Sequence, residues 1–455
     1  MNRASVLAVA IACAGARIAA AQQSLPSDSA VRALLTPRVA AFPDSGRRGS
    51  GIVVGLLDAG GGRRIVAAGV APTQVFEIGS ITKVFTASLL ADMVARREVR
   101  LDDPVAKYLP TTVRMPSRTG RQITLVDLAT QSSGLPRLPG NLTPKDSSNP
   151  YADYTVGQLY AFLSGYELTR NIGEKYEYSN LGVGLLGHTL SLRARTSYED
   201  LVTRRVLAPL GMRETAITLT PALRARIAPG HDAEGNLVPN WDLPTLAGAG
   251  ALRSTVSDML TFLAANLDSA RTPLVRALQQ THASRHATDN PSMTVGLAWH
   301  ILARPVGTIV WHNGGTGGYR SYIGFDAARR IGVVVLSNVS ISVDDIGFHL
   351  LDSTFPLQPP PPKRIEVAVD STVLARYVGD YQLAPQFHIV VTREAAHLFA
   401  QATAQPKFPI FAESDSTFFL KVVDAEISFE RDSAGTVAGL VLHQNGQHIP
   451  GKRIR

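Results

Sequence analysis

The fold and the chemistry of this chain are decided around residues 76–83, which read FEIGSITK. A strand-like run ends at Gly79, and a strongly apolar helical pattern follows from residue 82 to Val94. Ser80 and Lys83 are three residues apart, so on a helix their side chains lie one turn apart on the same face. They form the only S-x-x-K sequence of the chain.

Lys83 is the informative member of this pair. Of the 45 basic residues only 8 are lysine, so a position that merely needs a positive charge is usually occupied by arginine. A helix N-terminus and apolar surroundings both lower the pKa of a lysine, and a neutral lysine can take the proton of a serine hydroxyl. Arginine cannot do this. The pattern predicts a nucleophile, Ser80, with its base, Lys83; the alternative is a capping serine followed by a surface lysine.

A polar loop at Tyr178-Ser179-Asn180 precedes another helical pattern and holds the only Y-x-N sequence. A tyrosine there can move a proton to a leaving group or activate water. The amide of Asn180 can orient Lys83 or a substrate carbonyl. The alternative interpretation is a helix cap with a half-buried tyrosine.

The stretch from His312 to Gly315 reads HNGG and follows a strand pattern at 308–311. Glycines such as Gly314 at a strand edge allow a substrate backbone to lie close. The N–H of Gly315 is a candidate partner for the N–H of Ser80 in an oxyanion hole. The alternative is a glycine-rich hairpin turn.

Hydrophobic periodicity predicts one sheet built from the two ends of a domain, with helices inserted between its strands. A short helix capped within the stretch Ser27-Asp28-Ser29 is predicted to run toward Val39. The predicted strands are 52–57, 65–68, 294–302, 308–311, 319–325 and 332–337, and the other predicted helices are 82–94, 125–130, 156–162, 181–192 and 256–263.

A proline run at 359–362 separates this part of the chain from a stretch of different pattern. Four prolines favour a stiff extended spacer. The short alternating runs that follow, separated by turn residues, predict a small all-β module. These runs lie at 388–392, 398–402, 417–420, 427–430 and 439–443.

Residues 1–21 have the pattern of a secretory signal peptide, with a short basic start, an apolar stretch and small residues before Ala21. Cys13, the only cysteine, lies within it, so the predicted mature chain has no disulfide and no catalytic thiol. We therefore expect a periplasmic or extracellular protein. Lipoprotein anchoring through Cys13 is the alternative, although the preceding residues 10–12 fit a lipoprotein signal poorly.

Composition and spacing argue against several classes of function. The net charge is +8, but the basic residues form no block or helical stripe, which argues against nucleic-acid binding. No run after the N-terminus approaches the ~20 apolar residues of a membrane-spanning helix. His282 and His286 lack accompanying carboxylates and are interpreted as surface histidines, so no metal or other cofactor is predicted. Residues 182–187 match GxGxxG without a preceding strand and are interpreted as close helix packing.

Taken in order, S-x-x-K at Ser80, Y-x-N at Tyr178 and H-x-G at His312 resemble the motifs of the serine β-lactamase and penicillin-binding-protein superfamily. The resemblance is closest to class C β-lactamases and their DD-peptidase and esterase relatives, and it covers about residues 30–350. Further agreement lies in the stretches 123–136, 209–212 and 248–259.

The resemblance implies an α/β (α+β) fold in which an antiparallel sheet is flanked by helices and accompanied by an all-helical subdomain. It also implies that Ser80 is acylated, that Lys83 and Tyr178 transfer protons, and that Asn180 and His312 line the site. The C-terminal module is similar to the small lipocalin-like β-barrel that is appended to many such hydrolases.

Two positions depart from the family pattern. His312 stands where many members have lysine, so a fixed charge for a substrate carboxylate is missing there. Arg320 is a candidate replacement, with a surface arginine as the alternative. Leu138 stands where class C β-lactamases have a glutamine that binds the substrate side chain. We therefore expect an ester or a neutral amide to be preferred over a penicillin.

The sequence thus predicts an exported serine hydrolase that forms an acyl-enzyme and cleaves an ester, a D-amino-acid peptide or amide, or a β-lactam. Its expected partners are small-molecule or peptide substrates, including cell-wall fragments, and the sequence indicates no oligomeric state. The alternatives are a penicillin-binding sensor or scaffold that acylates slowly without turnover, and an inactive binding protein. The predicted division is 1–21 signal peptide, 22–356 catalytic domain, 357–366 proline-rich linker and 367–455 lipocalin-like domain.

Overall fold

The computed structural model describes most of the chain after residue 24. The described residues are 25–42, 49–268, 272–305, 307–359, 366–385, 387–403, 405, 407–420, 425–444 and 447–454. The predicted signal peptide with Cys13, and all but the first residue of the proline run, lie outside them. Within the described ranges, no helix combines the length and the apolar character needed to cross a membrane.

Helices and strands follow the predicted order closely. The helices are α1 (Asp28–Ala40), α2 (Thr82–Ala95), α3 (Leu125–Ala129), α4 (Val156–Gly165), α5 (Asn180–Ala194), α6 (Tyr198–Val202), α7 (Ala208–Leu210), α8 (Pro221–Arg224), α9 (Ala247–Gly250), α10 (Val256–Leu267), α11 (Pro273–Gln280), α12 (Asp344–Leu351) and α13 (Ser371–Ala375). The strands before residue 340 are β1 (Ile52–Leu57), β2 (Arg63–Ala68), β3 (Phe76–Glu77), β4 (Ser117–Arg118), β5 (Arg121–Gln122), β6 (Arg253–Ser254), β7 (His286–Ala287), β8 (Met293–Val295), β9 (His300–Arg304), β10 (Gly307–Gly315), β11 (Arg320–Asp326) and β12 (Ile331–Ser337).

One antiparallel sheet joins strands from the two ends of this region, as predicted. Its strand order is β2-β1-β12-β11-β10-β9-β8-β7, and β1 pairs with β12 so that Ile52 lies opposite Ser337. Side chains of β1 alternate between two hydrophobic cores. Val53 and Leu57 join the core that includes α2 and α10, whereas Val54 joins the core that includes α1 and α12. Because helices cover both faces, β1 is buried along its whole length.

Two predictions in this region were wrong. The predicted strand 294–302 is divided into β8 and β9, because the chain turns at Gly296, whose N–H donates to the carbonyl of Trp299 at 2.8 Å. A side chain at Gly296 would meet the carbonyl oxygen of Thr281 at 2.3 Å, so only glycine fits. His282 is half-buried rather than exposed; it packs on the rings of Trp299 and Phe325, and burial lowers its pKa to about 4.

The C-terminal module is a closed antiparallel barrel, which confirms the all-β prediction. Tyr377, Tyr381, Phe418 and Phe429 are among the buried residues of its own hydrophobic core. Its strands are β13 (Gly379–Ala384), β14 (Phe387–Glu394), β15 (His397–Ala402), β16 (Lys407–Ala412), β17 (Thr417–Leu420), β18 (Ala425–Arg431), β19 (Val437–Gln444) and β20 (Gln447–Arg453), and β13 pairs with β20 to close the ring.

Candidate active site

Ser80 lies between β3, which pairs with β6 in a small two-stranded sheet, and the start of α2. Strand β3 ends at Glu77, the N–H of Ile78 donates to the carbonyl of Leu252 at 3.1 Å, and a 3₁₀ turn over Gly79–Ile81 leads into α2. Gly79 has a φ of +48°, a conformation that glycine adopts without strain. The half-buried Ser80 therefore stands at a helix start, where the first N–H groups have no intrahelical carbonyl.

Lys83 is completely buried beside Ser80, which agrees with the predicted pairing. Its Nζ lies 2.8 Å from each of three oxygens: Ser80 Oγ, Asn180 Oδ1 and the carbonyl of Ala249. Burial, followed by the charge of Arg137, holds the pKa of Lys83 well below its usual value. The oxygens of Asn180 and Ala249 can only accept hydrogen bonds, which suits the two N–H groups of a neutral amine. Its lone pair is then directed to the Ser80 hydroxyl.

Tyr178 and Asn180 meet the same pair from the start of α5. Lys83 Nζ lies 4.8 Å from the centre of the Tyr178 ring, and the Tyr178 hydroxyl shares a hydrogen bond with Ser80. Burial outweighs that hydrogen bond and raises the pKa of Tyr178 to about 12. The phenol is therefore protonated near neutral pH and can donate a proton to a neighbouring group.

The loop from Gln131 to Arg137 holds this tyrosine in place. Gln131 Oε1 accepts the N–H of Ser179 at 2.8 Å, and Ser179 Oγ donates to the carbonyl of Pro136 at 2.6 Å. The carbonyl of Arg137 accepts the N–H of Asn180 at 3.0 Å. The stretch 131–136, which agrees with the family pattern, thus holds the Y-x-N loop in position through hydrogen bonds.

Small residues bring α9 within reach of Lys83. Gly187 of α5 lies against Gly248 of α9, and a side chain on Gly187 would meet the Gly248 α-carbon at 2.9 Å. This approach places the carbonyl of Ala249 on Lys83 Nζ. The GxGxxG match is therefore a helix-packing feature, as predicted.

The third motif lies inside β10, not in a turn that follows a strand. Gly314 lets the strand touch the loop before Ser80, since a side chain there would meet the Ile78 carbonyl oxygen at 2.1 Å. A side chain on Gly79 would likewise meet the Gly315 nitrogen at 2.7 Å. The register of β10 decides where that nitrogen points.

The N–H of Thr316 donates to the carbonyl of Tyr319 at 3.1 Å and closes the β10–β11 hairpin. Hydrogen-bonded and non-hydrogen-bonded pairs alternate along an antiparallel ladder. Gly315, paired with Arg320, is therefore in a non-hydrogen-bonded pair, and its N–H points away from β11. The close contact with Gly79 shows that this side faces the Ser80 turn.

His312 is completely buried and carries no charge at neutral pH. Its Nδ1–H donates to the carbonyl of Asn313 at 2.5 Å, and its ring stacks on His300 with centroids 5.1 Å apart. Among the described residues, Nε2 has no hydrogen-bond partner. Burial, with the nearby His300 and Lys83, holds the pKa of His312 well below its usual value. The fixed cation that lysine would supply is absent at this position, as expected.

Five further residues of this region belong to none of the three motifs. The Tyr151 hydroxyl accepts a hydrogen bond from Asn180 Nδ2 at 3.2 Å, and its ring lies 5.6 Å from that of Trp241. His300 shares a hydrogen bond with the Tyr176 hydroxyl at 2.9 Å. Arg137 is exposed, and its guanidinium carbon lies 5.1 Å from the centre of the Tyr178 ring. Only Arg137 had a signal in the sequence, since it directly follows the Gly-Leu-Pro stretch.

The sequence model of the Beta-lactamase family matches residues 31–348, about 70% of the chain. The chain belongs to this family. Residues 363–453 match a second family, described as a domain of unknown function, DUF3471.

Similar proteins agree with this assignment. A β-lactamase of Lysobacter lactamgenus is 28% identical over 360 residues, which is 70% of this chain and 90% of that protein. The D-alanyl-D-alanine-carboxypeptidase/endopeptidase AmpH of Escherichia coli K12 is 29% identical over 277 residues, 58% of this chain and 70% of AmpH.

Among solved structures, a class C β-lactamase from Rhodobacter sphaeroides is 25% identical with a TM-score of 0.59, covering 70% of this chain and 99% of its own. The D-alanine carboxypeptidase AmpC from Burkholderia cenocepacia shares the fold, with a TM-score of 0.60 at 23% identity over 72% of this chain and 100% of its own. This β-lactamase-family protein is a serine hydrolase of the β-lactamase type.

Proposed function

We propose that this hydrolase works through an acyl-enzyme on Ser80. The observation that carries the proposal is the buried Lys83 Nζ, held 2.8 Å from Ser80 Oγ between two oxygens that can only accept hydrogen bonds. The surroundings favour a neutral amine, and a neutral amine is the base that a serine nucleophile needs.

The reaction follows from these positions. Lys83 takes the hydroxyl proton, and Ser80 Oγ forms a bond to the substrate carbonyl carbon. The N–H groups of Ser80 and Gly315 stabilise the negative oxygen that develops. The proton then passes to the leaving group through Tyr178, whose hydroxyl is protonated and hydrogen-bonded to Ser80. Asn180 holds Lys83 in place, and water later releases the acyl group with the same residues acting in reverse.

The proposed substrate class is an ester, a D-amino-acid peptide or amide, or a β-lactam. Relatives that are named β-lactamase or D-alanyl-D-alanine-carboxypeptidase support the last two. A small molecule or a cell-wall peptide is therefore the expected partner. Export to the periplasm or beyond, by way of a signal peptide at 1–21, is part of the same proposal.

We also propose the division into a catalytic domain over 22–356, a linker over 357–366 and a barrel domain over 367–455. The barrel has a hydrophobic core of its own, distinct from the two cores that cover the large sheet. Separate cores are what independently folding units require.

Covalent labelling tests the proposed nucleophile. The wild-type protein should form a one-to-one adduct with a fluorophosphonate, mapped to Ser80 by peptide mass spectrometry, and Ser80→Ala should form none. Ser88→Ala is the matched control, because Ser88 lies on the same helix with its hydroxyl bonded to the carbonyl of Val84 at 2.7 Å. An adduct on another serine would contradict the assignment. With a penicillin as label, release within minutes indicates an enzyme, whereas an adduct that lasts for hours indicates the sensor or scaffold.

A further inference from the structure

The charge that a family lysine would supply is missing at His312, yet the site does contain a cation. Leu138, which stands at the place of the family glutamine, packs against the large hydrophobic core. Its neighbour Arg137 is exposed instead. The carbonyl of Arg137 accepts the N–H groups of Asn180 at 3.0 Å and Leu181 at 3.2 Å, which anchors its backbone to the start of α5.

The guanidinium of Arg137 is directed toward the reacting groups. It lies 5.1 Å from the centre of the Tyr178 ring, within the range of a cation–π interaction. In the described part of the chain, the Arg137 side chain forms no ion pair. Burial is the main cause of the lowered pKa of Lys83 and of the raised pKa values of Tyr178 and Tyr151. The charge of Arg137 adds to the first shift and opposes the other two, and no described carboxylate contributes to these three shifts. Arg137 is therefore the only cation among the causes of these three shifts.

Arg320, the other candidate for this positive charge, has its guanidinium bound elsewhere. Its Nη1 donates to the carbonyls of Thr316 at 2.7 Å and Tyr319 at 2.9 Å, so it supports the β10–β11 hairpin. Burial raises the pKa of the Asp344 carboxyl to about 6, and the charge of Arg320 partly opposes that rise. An arginine with these partners is poorly placed to receive a substrate.

We propose that Arg137 determines specificity by binding a carboxylate of the substrate beside the acylated serine. The planar guanidinium offers a pair of N–H donors that match a carboxylate, and such charge-assisted pairs are stronger than neutral hydrogen bonds. The preferred substrate is then an acyl donor with a free carboxylate, which replaces the preference for an ester or a neutral amide that His312 and Leu138 led us to expect. The inference rests on the proposed function, because it names the substrate class of that same site.

Two pairs of substrates test this assignment, and in each pair one member has a free carboxylate that the other lacks. The first pair is mono-p-nitrophenyl glutarate and p-nitrophenyl butyrate, which place the carboxylate on the acyl side. The second is a D-alanyl-D-thiolactate depsipeptide and its methyl ester, which place it on the leaving-group side. In at least one pair, Arg137→Met should lower the ratio of kcat/KM for the charged over the neutral member by roughly tenfold to a hundredfold.

Arg137→Lys should restore part of that ratio, since lysine keeps the charge but loses the planar pair of donors. Arg276→Met is the control, because Arg276 is an exposed arginine of α11 that contributes to no pKa shift found in the site. The ratios of the control should match the wild type. Ratios that Arg137→Met leaves unchanged in both pairs would overturn the proposal.

A binding measurement keeps the result independent of turnover. In the Ser80→Ala protein, calorimetry should give tighter binding of the charged member of one pair, and Arg137→Met should remove the difference. Equal affinities for both members before and after the change would overturn the role of Arg137. Failure of the proposed function has a different signature, since it would appear as equal hydrolysis of the neutral members by the wild-type and Ser80→Ala proteins.

Discussion

Replacement of Lys83 by arginine separates a base from a simple positive charge. Lys83 is completely buried, and its Nζ is held at 2.8 Å by Ser80 Oγ, Asn180 Oδ1 and the carbonyl of Ala249. Arginine keeps the charge but cannot release its proton under accessible conditions. We therefore expect Lys83→Arg to be nearly as damaging as Lys83→Ala.

The magnitude follows from the role assigned to Nζ. Loss of a positioned base slows proton transfer by about 10²–10⁴-fold, so acylation of Ser80 should slow by that factor in both variants. Lys83→Ala also leaves two buried acceptors, on Asn180 and Ala249, without their donor, at a cost of about 1–3 kcal/mol each. The free energy of unfolding, measured with urea, should therefore fall in this variant. Acylation rates are compared without denaturant, under conditions where circular dichroism shows that each protein is folded.

The assay is the rate of fluorophosphonate adduct formation, followed by intact-protein mass spectrometry from pH 5 to 10. Because the pKa of Lys83 lies well below 10.5, the wild-type rate should reach its plateau well below that pH. Lys107→Arg is the matched control: this half-exposed lysine pairs with Asp103 at 2.7 Å, so arginine should be tolerated without loss of rate. If Lys83→Arg kept most of the wild-type rate, Lys83 would be an electrostatic or structural residue, and Tyr178 would become the candidate base.

Two other changes probe the framework of the site. Gly314→Ala should lower the free energy of unfolding by about 1–3 kcal/mol and abolish labelling of Ser80. The reason is that the new methyl group would lie 2.1 Å from the Ile78 carbonyl oxygen. A variant that melts and is labelled like the wild type would refute this close approach. Stability should fall as the pH drops from 6.5 to about 4, because the unfolded chain protonates His300 near 6.5 whereas burial holds its folded pKa at about 4. His300 alone accounts for about 3 kcal/mol, so urea titrations of His300→Phe should show a shallower pH dependence than the wild type.

Much of the fold could be predicted from the sequence because the deciding signals are local. Strand β1 was predicted with its observed bounds, and α2 within one residue of its end, since apolar runs and turn residues act over short stretches. The pairing of Ser80 with Lys83 is equally local, as three residues always span one helical turn. Composition likewise singled out Lys83, because lysine is rare in this arginine-rich chain.

Tertiary structure decided what surrounds that pair. Asn180 and Ala249 reach Lys83 across 97 and 166 residues of sequence, and no local pattern states that these oxygens converge on one amine. Tyr151 could not be predicted for the same reason, because only the hydrogen bond from the Asn180 amide to its hydroxyl connects it to the site. Register, not composition, directs the N–H of Gly315 toward the turn that contains Ser80.

Burial is the other quantity that the sequence left open. His312 was placed in the site from its motif, but only packing against His300 shows it to be enclosed and neutral. Arg137 directly precedes Leu138, the residue at the place of the family glutamine. Only the fold shows that Leu138 packs against the core while Arg137 remains exposed beside Tyr178. The sequence alone was enough to place Ser80 beside Lys83, because the geometry that pairs them is helical. The charge of the site was decided by long-range packing, because a side chain's exposure depends on neighbours that the sequence keeps far apart.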